Sequence, residues 1–542
     1  MSRIYHLDTV VPLALSGATV LALLGTALLL VLALWTYSSW SRLRHIPGPP
    51  SAGLSKWWMF RSSISGNMHL ALKDVVDKYG KYQPKPGRFR SIQGSSAGRL
   101  PVPGAWDPMQ SRRDAGPLAR IGPNTLVTND PDVLRKLWAV RSPYKKGPFY
   151  QAVRFNPDRD NLISMRDDDE HRVLRSKMAA GYAGKDVDSL EAVIDKGISA
   201  FIRLVERRYV SEPGSFRPMD LARKVQYAAL DIIGLLSLGE RFGFTDEDTD
   251  VHQYIKILEE SMPVMITLTV FPTLAKVLQS RLCRRLMPSE RDKIGLGVFI
   301  GVAKQIVTDR LASGNPCRGD MLGSFLAHGL TREEAEGEML LQIVAGSDTT
   351  ATAVRTTMLY MLSSPNVYGR LTAELPQQPP CSSPPATNAE CLALPYLQAV
   401  IKEGMRMHPP VAGLMGVMVP PGGDVLCGLG VPGGTEVGWS VFALQRREDV
   451  YGDDAGCFRP ERWLEADGGR LRAMEATWDL IFKYGKWQCL GKPVALIEIN
   501  KLFVELLRRY DFALVDAAQP MKSANAGIFL QSGLIVKITR AQ

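Results

Sequence analysis

No charged residue occurs between Asp8 and Arg42, and most of that stretch is Leu, Ala and Val. A backbone placed in hydrocarbon must satisfy its own polar groups, so a run of this kind folds as a helix. The span, at about residues 10–36, reaches the roughly 20 apolar residues a bilayer crossing needs. A cleaved signal peptide would have a shorter apolar core and a small-residue cleavage site. Arg42, Arg44, Lys56 and Arg61 follow the span, while only Arg3 precedes it. The positive-inside rule then puts the body of the protein in the cytosol. Trp35, Tyr37 and Trp40 stand where an interfacial aromatic belt would lie. The alternative is a buried core helix. The expectation is an anchor over residues 1–45, with IPGPP at 46–50 as a stiff hinge, and one large domain over 46–542.

A cytosolic domain keeps its thiols reduced. Cys283, Cys317, Cys381, Cys391, Cys427, Cys457 and Cys489 contain no CxxC pair and no Cys/His cluster. Disulfides and zinc are therefore disfavoured. Cys489 stands apart, in FKYGKWQCLGK at 482–492, between Gly485 and Gly491. An inert buried thiol and a haem ligand both remain open for it at this point. The net charge of +10 suits an anionic membrane surface or an acidic protein partner. No nucleic-acid-binding motif is present, so nucleic acid is not expected as a partner.

Residues 131–409 carry mostly helical patterns, residues 411–439 carry Gly, Pro and short Val-rich pieces, and short strands close the chain. Thr331 with Glu334 forms a capping box that opens a long helix, and Ser363-Ser364-Pro365 ends it. Its centre is AGSDTT at 345–350, a poor helix-interior sequence. That predicts either a local distortion at a functional site or a bent structural helix whose Thr hydroxyls bond the preceding turn. Glu403 and Arg406, three apart on another helical stretch, share a face and can pair. A GxGxxG match at Gly428 is spoiled by Pro432, and a GxSxG match at Gly94 lacks a following helix. Residues 81–116 hold five Pro and five Gly without any hydrophobic period, an atypical insertion.

In this order, the anchor and hinge, AGSDTT, the EGMR of an ExxR motif, FRPERW and an FxxGxxxCxG loop resemble the cytochrome P-450 superfamily of haem-thiolate monooxygenases. EHRVLRSKMAAGYAGK and YGKWQCLGK resemble fungal microsomal, pisatin demethylase-like members. The resemblance implies a mainly α fold with small β-sheets behind one N-terminal transmembrane helix. It implies haem b with Cys489 as axial thiolate, a ligand that pushes electron density onto iron. Phe482, Gly485 and Gly491 would shape the loop around that sulfur. Thr349 and Asp348 match an alcohol–acid pair that delivers protons to dioxygen, and Ala345 and Gly346 would leave room beside the haem. Glu403, Arg406 and Arg462 match a buried structural triad. His171 and Arg175 match a helix that holds a haem propionate.

There are departures. Trp487 stands where many relatives have Arg, no basic residue occurs between Val411 and Leu426, and Lys483 replaces a small residue. The expected propionate partners are then His171, Arg175 and Lys486. The pocket would draw on Phe149, Tyr150, Phe155, Ile343, Val344, residues 411–415 and residues 528–530. The implied reaction inserts one oxygen atom from dioxygen into a lipophilic small molecule, by hydroxylation or oxidative demethylation, in secondary metabolism or detoxification. NADPH electrons would arrive through a separate NADPH-cytochrome P-450 reductase at the endoplasmic reticulum membrane. Two alternatives stay open: a haem or lipid binder without turnover, and a chain disabled by residues 81–116. The codons of that segment can carry a donor-like GTAAGT and an acceptor-like CAG, and joining Gly80 to Pro117 gives KYGPLARIGPN, so a translated intron is expected there.

Overall fold

The computed structural model describes residues 17–80, 117–157, 159–283, 285, 287–375 and 385–541. One helix, Arg332–Leu362, organises the rest. The Thr331 side chain accepts the Glu334 backbone N–H, and the Glu334 carboxylate accepts the Thr331 N–H, which closes the capping box. The helix then runs unbroken through AGSDTT. The expected local distortion does not occur. Ser347 Oγ donates to the Ile343 carbonyl and Thr349 Oγ1 to the Ala345 carbonyl, each at 2.8 Å. The hydroxyls that would compete with the backbone are thus satisfied inside the helix. Burial against the helices Leu221–Leu238, Pro395–Met407 and Lys492–Leu507 outweighs the poor propensity.

The strands form small sheets. Leu118–Gly122 and Thr125–Thr128 make a hairpin, with Ala119 opposite Val127. Thr125–Thr128 pairs in parallel with Glu436–Trp439, which pairs with Val417–Met418, which in turn pairs with Lys145–Lys146. Near the end of the chain, Ile535–Arg540 lies between Tyr510–Leu514 and Met219–Asp220. Strand Lys145–Lys146 and strand Met219–Asp220 interrupt the region that the sequence marks as helical. The arrangement is mainly helical with small sheets, as expected.

The N-terminal helix Gly17–Leu43 is tied down at its end. The Arg120 guanidinium donates to the carbonyls of Ser39, Trp40, Gly53 and Pro123, and Leu43 is buried. Leu23, Leu24, Leu30, Val31 and Leu34 are exposed. Among the described residues no single helix is long and apolar enough to cross a membrane. The expected span begins outside the described residues, as do Cys381 and the whole of 81–116. The flanks of that insertion touch: a Cβ on Gly80 would stand 2.8 Å from Pro117 Cβ.

Candidate active site

The Cys489 loop is held by its own backbone. After the short helix Asp479–Phe482 the chain turns through Lys483 and Gly485, both at positive φ. A Cβ on Gly485 would lie 2.3 Å from the Trp138 carbonyl oxygen, so only glycine fits. The Cys489 N–H donates to the Phe482 carbonyl at 2.8 Å. Its sulfur accepts the N–H groups of Gly491 and Lys492, at the start of helix Lys492–Leu507. Burial raises the thiol pKa, while those N–H groups, Arg175 and Lys492 pull it back. Cys489 is exposed, but toward an internal cavity that it lines.

That cavity has a volume of about 270 Å³. Ala345, Gly346 and Thr349 from the long helix form one wall, and Phe482, Cys489 and Gly491 line the region of the Cys loop. Tyr150, Val411 and Met415 line it as expected for a substrate pocket, while Ile343 and Val344 turn into a neighbouring core cluster. Phe149 and Leu530 belong to another core cluster. Gly346 serves helix packing as well as space, because a Cβ there would meet Ile233 Cδ1 at 2.9 Å.

Asp348 is not brought to the cavity. Its carboxylate accepts from Gln226 Nε2 at 2.6 Å and from Ser347 Oγ at 3.3 Å. Burial raises its pKa to about 6, against the pull of Arg355 and the Ser347 hydroxyl. Gln226 and Arg355 escaped the sequence reading. Arg355 is fully buried in an apolar helix and within 3.5 Å of Gln226 Oε1. Such a charge in mid-helix is itself a signal of a buried carboxylate nearby.

Glu403, Arg406 and Arg462 form one buried cluster. Arg406 binds Glu403 through two hydrogen bonds of 2.8 Å, and Arg462 Nε donates to Glu403 Oε1 at 2.9 Å. Trp463 Nε1 and the Arg459 N–H complete the carboxylate shell. Burial alone would raise the Glu403 pKa, but the two guanidiniums hold it below the usual carboxylate value. Arg406 also donates to the carbonyls of Gln445, Ala455 and Cys457, which ties two loop segments to its helix.

The basic groups are placed differently from the expectation. His171 and Arg175, one turn apart on helix Asp168–Tyr182, both line the cavity. Burial and then the neighbouring cations Lys146, Arg175, Lys486 and Lys483 lower the His171 pKa to about 3. Lys486 does not reach the cavity lining. Its ammonium is spent on the carbonyls of Ser142 and Tyr144 and on Asp168 at 2.9 Å. Lys146 and Lys483 line the cavity instead. The first was missed, and the second was seen only as a departure. Lys483 has φ 61° and ψ −167°, backbone that essentially only glycine adopts, at a cost of about 1–3 kcal/mol.

The sequence profile described as "Cytochrome P450" matches residues 117–538. This chain belongs to the cytochrome P450 family. It is 37% identical over 506 residues to a protein of Pyricularia oryzae named "Cytochrome P450 monooxygenase ABA1", covering 92% of this chain and 93% of that one. It is 34% identical to "Cytochrome P450 monooxygenase aba1" of Botryotinia fuckeliana, covering 92% of both chains. It is 27% identical to "Cytochrome P450 monooxygenase mfmA" of Annulohypoxylon moriforme, covering 96% of this chain and 97% of that one. The fold matches a solved structure, "Crystal structure of cytochrome P450DA heme domain", with TM-score 0.60, 17% identity, and coverage of 77% and 87%.

The protein is thus a cytochrome P450 monooxygenase, an oxidoreductase that incorporates molecular oxygen. The family carries haem iron on a cysteine thiolate. The residues present fit such a group. The cavity has a sulfur stabilised by backbone N–H groups, mostly apolar walls, and basic side chains at its edge. Lys146, Arg175 and Lys483 line that edge and make no ion pair among the described residues, which suits the carboxylates of a haem.

Proposed function

We propose that this cytochrome P450 oxygenates a lipophilic small molecule in fungal secondary metabolism or detoxification, with Cys489 as the haem ligand. The substrate class rests on the apolar lining. The pathway class rests on the fungal relatives, of which this chain covers nearly the whole length. Electrons would come from NADPH through a separate reductase. The exposed apolar face of the N-terminal helix, with the charge pattern around it, supports a single-pass anchor in the endoplasmic reticulum with the catalytic domain in the cytosol.

The single observation that carries this reading is that Cys489 and Thr349 line one cavity. When bound, the haem supplies the activation of dioxygen. The chain supplies the surroundings. The Gly491 and Lys492 N–H groups stabilise negative charge on Cys489 Sγ. Thr349 Oγ1 presents a hydroxyl at the cavity wall, anchored on the Ala345 carbonyl, from which a proton can be handed on. Asp348 is its proton source one step back. With a pKa near 6 it gains and loses a proton close to neutral pH. It must turn away from Gln226 Nε2 to reach Thr349, so the Gln226 contact would gate delivery. The Glu403 cluster is structural and touches no substrate.

The test is a carbon monoxide difference spectrum of the reduced protein beside its Cys489→Ser variant. The intact protein is expected to show the red-shifted Soret band of a thiolate ligand, and the variant to lose it. An unchanged band in the variant removes Cys489 from the iron.

A further inference from the structure

Basic side chains from three separate segments converge on one edge of the cavity. Lys146 comes from strand Lys145–Lys146, His171 and Arg175 from helix Asp168–Tyr182, and Lys483 from the Cys489 loop. Two of them are buried lysines that share one tyrosine. The ammoniums of Lys146 and Lys483 each lie 5.2 Å from the centroid of the Tyr150 ring. Lys483 Nζ donates to the Tyr150 hydroxyl at 2.6 Å, and Lys146 Nζ donates to the carbonyls of Leu162 and Ile163. None of these acceptors carries charge.

The nearby carboxylates do not neutralise the pair. Asp168 is engaged by Lys486 and Asp160 by Arg154. Glu338 accepts the Leu162 N–H and has its other oxygen unpaired and buried. Burial raises the Glu338 pKa to about 8, so it is protonated near neutral pH. Burial lowers Lys483 to about 7, and burial with Lys483 beside it pushes Lys146 well below its usual value. Like charges buried side by side are unfavourable unless an anion joins them. The backbone adds an independent observation. Lys483 occupies φ/ψ space suited to glycine, and the hydrogen bond its ammonium makes among the described residues is to the neutral Tyr150 hydroxyl. Strain retained at a site facing a cavity points to a ligand.

We infer that Lys146 and Lys483, together with Arg175 and His171, seat the two propionate carboxylates of haem, with Tyr150 spacing the lysines. This rests on the haem-thiolate reading above. It explains the lack of an arginine at Trp487 and of any basic residue between Val411 and Leu426: Lys483 brings the missing charge from six residues before the ligand itself. The indole of Trp138, 5.5 Å from Lys483 Nζ, backs the same ammonium.

The experiment reads haem retention rather than turnover. Wild type, Lys146→Met, Lys483→Met and Lys483→Gly are loaded with haem or with haem dimethyl ester, and transfer to excess apomyoglobin is followed by absorbance. Free-acid haem should escape about tenfold faster or more from each variant, the loss of one charge-assisted contact. The ester, which has no carboxylates, should leave all four proteins at similar rates. Lys483→Gly separates contact from folding: its apoprotein should melt no lower than wild type, because glycine suits the backbone, while its haem still escapes faster. Equal escape of free-acid haem from wild type and variants overturns the proposal, and so does an identical response of acid and ester. Unchanged haem retention with loss of the spin shift given by lauric acid, but not by its methyl ester, would assign the lysines to a substrate carboxylate instead. A wild-type protein without the thiolate-type carbon monoxide band would mark failure of the haem-thiolate reading before any lysine is changed.

Discussion

Deleting residues 81–116 and joining Gly80 to Pro117 should yield a folded, haem-loaded protein more stable than the full chain. The two flanks already touch, and each is held without the segment. The Gly80 N–H donates to the Val76 carbonyl at 2.7 Å, and the Pro117 carbonyl accepts from Thr128 Oγ1 at 2.6 Å. One adjustment is needed. Gly80 has ψ −17°, a helical value disfavoured before proline, and glycine can leave it at little cost. Holding the ends of a 36-residue segment together carries a length-dependent entropy of about 3 kcal/mol by (3/2)RT ln n. The deletion relieves that cost and also removes seven Lys or Arg against two Asp. The assay is the urea midpoint of the purified protein, read beside the carbon monoxide band. A deletion protein that is less stable than the full chain, or that carries no haem, would refute the reasoning and show that the segment is part of the fold. The spliced transcript gives a second reading: a mature message that retains these codons as its main form ends the intron proposal.

Thr349→Ala should keep haem and substrate binding but uncouple turnover, so that product per NADPH falls several-fold and peroxide rises; matched NADPH use and product formation would remove Thr349 from proton delivery. Glu403→Ala leaves Arg406 and Arg462 buried without their carboxylate, which costs about 3–5 kcal/mol, a large share of a typical stability of about 5–15 kcal/mol. Folded, loaded protein should therefore be scarce, and a normal yield would contradict the buried cluster. Asp348→Asn should stabilise the protein near pH 8 but not near pH 4. The folded pKa of Asp348 is raised from 3.8 to about 6, so its favourable contribution is full below pH 4 and is lost as pH rises through 6, a change of roughly 3 kcal/mol. A stability difference that does not vary with pH would show that Asp348 titrates normally.

The sequence determined the order and chemistry of the parts. The capping box at Thr331 and Glu334, the Glu403–Arg406 pair three residues apart, and the Gly485 turn before Cys489 are local, and local rules read them correctly as structure, whereas Gly491 has a φ of −77° that any residue adopts. The AGSDTT distortion failed because propensity knows nothing of packing. Inside the long helix the hydroxyls find the preceding turn, as the alternative reading of this stretch has it, and burial against neighbouring helices keeps the helix unbroken through them. Which residues face one another was decided only by the tertiary structure. Lys486 is expected at the propionates, yet its ammonium is drawn off to Asp168 on another helix. Asp348 sits beside Thr349 in sequence, but successive helix residues point in different directions, so one faces the cavity and the other faces Gln226 on a neighbouring helix. Lys146, distant in sequence, joins Lys483 across a tyrosine ring. Charge interactions depend on distance through space and on burial, and a sequence states neither.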